Sequence, residues 1–80
     1  MNRSIRQNIP LSQAQAGSEV VVQRIDGGHG IVQRLAEMGV RSGQKLKVVR
    51  GRGPMIIEVK GHRLVIGHGM VRRILVVQDG

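Results

Sequence analysis

Eighty residues without a cysteine allow one small domain that folds on apolar burial alone, with about 60% of the unfolded surface removed from water. Thirteen Lys and Arg against five Asp and Glu leave a formal charge of +8, which implies an acidic partner without naming it. Disulfide frameworks and thiolate metal sites are excluded, and no apolar run is long enough for a membrane span or a signal-peptide core.

Residues 1 to 8 are polar and basic with isolated apolar positions, and read as a loose tail before a domain at 9–80. Ile9 to Ser12 suits only a short edge strand, because Pro10 removes a ladder donor. Ser12 to Ser18 turns the chain, and Glu19 to Ile25 is a β-branched strand that breaks at Gly27-Gly28.

The hydrophobic period then changes. Ile31, Leu35 and Met38 fall at i, i+4 and i+7, with Val32 and Ala36 beside them, which predicts one short helix near 30 to 38. Gln33, Arg34 and Glu37 take its other face. Gly39 stands where a left-handed C′ residue belongs, and Val40 at C″ can close back onto Leu35.

Ser42-Gly43 leads into a strand from Lys45 to Arg50, where Lys45 and Lys47 alternate with Leu46 and Val48. Gly51 to Pro54 is a connection, and Met55 to Lys60 is the next strand. Gly61-His62 is the expected tight turn into Arg63 to Ile66. Gly67-His68-Gly69 breaks the sheet before one helical turn through Met70 to Arg72, and Ile74 to Val77 closes the domain. The expected fold class is mainly β: a small, strongly bent barrel of about five strands with one short helix, closed to remove exposed edges.

The order LSQAQAGSEVVVQRI, GGHG, QRLAEMGVRSGQKLKVV, GPMIIEVKGHRLVI and ILV resembles the FeoA family of ferrous-iron-transport accessory proteins over residues 9 to 78. The most specific parts are Arg34-Leu35-Ala36-Glu37-Met38-Gly39 and the following Gly43-x-Lys45-x-x-Val48. The resemblance implies an SH3-like barrel. It also implies a cytoplasmic location peripheral to the inner membrane, and action on the large Fe(II) permease that carries a GTPase domain. The module is similar as well to the C-terminal domain of diphtheria-toxin-repressor-type regulators. Because it fills the chain, an accessory protein is the expectation rather than a repressor fragment. At Gly67-His68-Gly69-Met70 the chain departs from the charged pair and alanine that many members carry.

The glycines at 27 to 30 lack the Gly-Lys-Ser/Thr of a nucleotide loop, so they read as a strand-to-helix turn, and no cofactor is expected. His29, His62 and His68 each sit beside a glycine with no acid at helical ligand spacing, so no metal site is expected either. Glu19, Asp26, Glu37, Glu58 and Asp79 are scattered without an activated serine or paired carboxylates, and the expectation is a non-enzyme. Without aromatics there is no polyproline groove.

Between Glu37 and Glu58 no acid occurs, while Arg41, Lys45, Lys47, Arg50 and Arg52 do. The candidate partner-binding residues are therefore Gln33, Arg34 and Glu37 on the helix, with Lys45, Lys47, Arg50 and Arg52 on the basic strand and loop. The leading reading is a non-catalytic module that docks on the permease and regulates it. The alternative is a small basic barrel that binds the phosphate backbone of RNA or DNA. That reading lacks the aromatic faces on which bases stack.

Overall fold

The computed structural model describes residues 7–51 and 54–79. Six strands occur among them: β1 (Ile9–Pro10), β2 (Glu19–Ile25), β3 (Lys45–Arg50), β4 (Met55–Val59), β5 (His62–Ile66) and β6 (Ile74–Gln78). Helix α1 (His29–Glu37) lies between β2 and β3, and a single turn, α2 (His68–Val71), lies between β5 and β6. The strands form one antiparallel sheet in the order β1-β6-β2-β3-β4-β5. It is the expected mainly β, small SH3-like fold, with the short edge strand making a sixth.

Alternation builds the core. Val20 and Val22, Leu46 and Val48, and Met55, Ile57 and Val59 point inward and are buried, while Lys45 and Lys47 are exposed between them. All these inward residues join Leu11, Leu35, Val40, Ile66, Val71, Ile74 and Val76 in a single cluster, so the sheet is curled around one core. Among the described residues hydrogen bonding does not complete the expected closure, and β1 and β5 are the two ends of the ladder. β1 is only two residues long because Pro10 offers no N–H and Leu11 turns at once into a 3-10 turn, Leu11–Gln13.

The helix stop is as read. Gly39 has φ of 91°, its N–H reaches the Ala36 carbonyl at 3.0 Å, and the Val40 N–H reaches Leu35 at 2.8 Å. The turn after β4 differs by one residue from the sequence reading. Lys60 and Gly61, with φ of 52° and 81°, form the turn, and His62 already belongs to β5. Two positive φ values are what a twisted two-residue hairpin requires; glycine adopts its value freely, and the pairing of Val59 with His62 holds Lys60 in the other. The helical turn likewise begins earlier than expected, at His68. Arg52 and residues 1–6 of the expected tail lie outside the described residues.

Candidate functional site

Helix α1 is anchored by one fully buried residue, Leu35, with Ile31 and Met38 packed more loosely against the core. Its opposite face carries Gln33, Arg34 and Glu37, all exposed, and Val32 remains 38% exposed beside them. Among the described residues the ion pairs are Arg24–Asp26 at 2.9 Å and Lys45–Asp79 at 3.0 Å, so Arg34 and Glu37 do not pair with each other. The Arg41 guanidinium lies 3.5 Å from the Ala36 carbonyl, at the negative end of the helix. The face is thus held on a short element whose C-terminus is fixed by backbone bonds.

Lys45 and Lys47 are exposed as expected, yet they are not an isolated basic strand. Register sets Glu19 directly across from Lys47 on β2, Glu58 across from Lys47 on β4, and Arg63 across from Glu58 on β5. The outer face of the sheet therefore carries a row of alternating sign, Glu19, Lys47, Glu58, Arg63. Asp79, beyond the end of β6, takes Lys45, and its carboxylate raises the Lys45 pKa above 10.5 by hydrogen bonding and by charge. A shallow groove of about 260 Å³ runs over this face, lined by Glu19, Lys45, Lys47, Glu58 and Lys60 among others.

Lys45, Lys47 and Arg63 on that face are matched by Glu19, Glu58 and Asp79, and Arg24 pairs with Asp26. The whole of the +8 is borne by the remaining groups, which include Arg34, Arg41, Arg50, Lys60, Arg72 and Arg73. Arg50 is exposed past a bulge in β3, opposite Ile56. The candidate residues accordingly divide. Gln33, Arg34 and Glu37 share the helix, whereas Lys45 and Lys47 lie on the side of β3 turned away from the core that Leu35 enters. Glu19 and Glu58 are scattered in the sequence, and only the pairing register brings them to either side of Lys47.

His29, His62 and His68 are all exposed, and no group of three or more His, Cys, Asp or Glu stands close enough to share a metal ion among the described residues. A second depression, of about 300 Å³, is lined by Ile9, Gln13, Ala14, Gln15, Ser18, Val20 and Gln78, none of them ionisable. No helix among the described residues is long and apolar enough to cross a membrane.

Fold and site together define a small SH3-like sheet module with one inserted, outward-facing helix. The FeoA domain model matches residues 9–78, and this chain belongs to the FeoA domain family. It is 48% identical over 68 residues, 84% of this chain and 83% of the relative, to "Putative Fe(2+) transport protein A" of Methanocaldococcus jannaschii. The crystal structure of an iron uptake regulatory protein, FeoA, superposes with a TM-score of 0.85 at 37% identity, over 91% of this chain and 99% of that one. The crystal structure of T. acidophilum IdeR also superposes with a TM-score of 0.85. That match has 20% identity and covers 98% of this chain but 37% of that one, a likeness of fold alone.

Proposed function

We propose that this chain is a non-catalytic accessory module of ferrous-iron uptake that docks, on the cytoplasmic side, on the GTPase-containing Fe(II) permease and regulates it. The observation that carries the reading is the family match over residues 9–78, joined to 48% identity with a relative named for Fe(2+) transport. The docking surface is the outer face of α1, where Gln33, Arg34 and Glu37 are exposed and make no bond to the rest of the domain among the described residues. Regulation requires that the module bind one conformational or nucleotide state of the permease better than another, since equal affinity shifts nothing.

Lys45 and Lys47 leave this surface. Their charge is answered by Glu19, Glu58 and Asp79. The same neutralisation weakens the nucleic-acid alternative, because a strand flanked by carboxylates does not track a phosphate backbone.

Arg34→Glu tests the reading. An exposed substitution shifts stability by no more than about 0.5 kcal/mol, so the variant should melt with the wild type. It should fail to recover the permease from membrane extract and should lose iron uptake in cells. A stable variant with full uptake refutes docking through α1. Tight, salt-sensitive RNA binding by the wild type would favour the alternative instead.

A further inference from the structure

Strand β5 has one side bonded to β4 and, among the described residues, nothing paired with the other. Its hairpin geometry identifies which backbone groups that open side presents. The two-residue turn Lys60-Gly61 closes with Val59 opposite His62, so His62 is the hydrogen-bonded pair and positions alternate from there. His62, Leu64 and Ile66 direct their N–H and C=O groups to β4. Arg63 and Val65 direct theirs outward.

The side chains on this edge are equally particular. Val65 is 66% exposed, the most exposed of the large apolar residues among those described, and lies on the outer face beside half-buried Ile56. Arg63 ends the row of alternating charge, with Glu58 on one flank and no acid on the other. On the inner face Leu64 is only half covered although it packs against the core. The other end of the sheet has no such capacity, since β1 is two residues long and contains Pro10.

We propose that β5 is an acceptor edge for an extended, acidic segment of a partner protein, which adds to the sheet as an antiparallel strand. The edge dictates the chemistry of three consecutive residues. An apolar β-branched residue stands opposite Val65, an apolar residue covers Leu64, and Asp or Glu stands opposite Arg63 and continues the charge row. A second copy of this chain is the disfavoured occupant, because each copy carries +8 and has no acid of its own at the edge. This surface is separate from the outer face of α1, so the proposal stands or falls independently of permease docking there.

The probe is the capped peptide Leu-Val-Leu-Glu-Val-Glu, read by two-dimensional NMR and amide exchange, with Leu-Val-Leu-Lys-Val-Lys as its control. Binding of the acidic peptide should slow exchange of the Arg63 and Val65 amides at least tenfold, while the His62, Leu64 and Ile66 amides are protected before and after. The basic peptide should bind at least tenfold more weakly, and Arg63→Glu should reverse that order. Val65→Pro removes only an outward N–H, so the hairpin to β4 survives and peptide affinity falls at least tenfold. Absence of saturable binding, equal binding of the two peptides, or binding without protection of Arg63 and Val65 would overturn the proposal. So would a wild-type dimer in sedimentation that Val65→Pro dissociates, since a second copy would then own the edge.

Discussion

Leu35→Ala removes the single residue that roots α1 in the core. Leu35 has no accessible surface and clusters with Val22, Val40, Leu46 and Ile57. Buried leucine-to-alanine changes cost about 2–5 kcal/mol, the larger values where the surroundings cannot collapse into the void. Collapse is hindered here at both ends of the helix. The backbone bonds to Leu35 and Ala36 fix its C-terminus, and a Cβ on Gly27 would come within 3.3 Å of Ile31, so the entry turn is already close-packed. The upper half of the range, about 3–5 kcal/mol, is therefore expected. A domain of 80 residues has only about 4–12 kcal/mol in total, so the variant should melt at least 12 °C or so lower. With no aromatic residue to report unfolding, the assay is urea denaturation followed by far-ultraviolet circular dichroism. The slope with urea should not change. A loss below about 1 kcal/mol would mean that the cluster does not depend on Leu35, and would refute the reasoning.

Gly39→Ala isolates a backbone cost, because the added methyl would meet Val59 at 3.8 Å, an ordinary contact, while φ stays at 91°. The expected loss is about 1–2 kcal/mol by the same denaturation, and no loss would contradict the left-handed helix stop. Lys45→Gln should lower the melting temperature slightly near neutral pH. Since the folded state holds the Lys45 proton more tightly, the contribution is complete below 10.5 and disappears as pH rises through the raised value. The gap between wild type and variant should therefore close in strong alkali, and a gap that persists there would show that the Asp79 pair is not its source.

The features legible in the sequence are those that neighbouring residues decide. The helix, its apolar stripe and its end at Gly39 depend on residues within a dozen positions, and sequence and structure agree on them to within a residue. The inward and outward sides of β3 and β4 follow from alternation and were equally plain. The turn after β4 lies one residue earlier than the sequence indicates, because Gly61 marks a position of positive φ without saying which neighbour joins it. Lys60 does so, a residue with no intrinsic preference for that region, and the pairing of Val59 with His62 imposes it.

Charge was the property least legible, for a definite reason. Twenty positions without an acid, from Met38 to Ile57, suggest one basic surface when the chain is taken in a line. In the sheet the same stretch is cut up. Arg41 stays at the helix end, Lys45 and Lys47 turn outward, and Arg50 lies past a bulge. The acids that answer the lysines arrive from Glu19, Glu58 and Asp79, and only strand register brings them there. Register is fixed by which valines and isoleucines must face the core, a condition on the whole fold rather than on any short window. A domain with so few acids has thus placed three of its five on one sheet face. The remaining basic excess includes Arg34 and Arg41 at the helix, Arg50 past the bulge, and Arg72 and Arg73 just after α2, and Arg63 stands on the edge strand β5 with an acid across from it on β4 only.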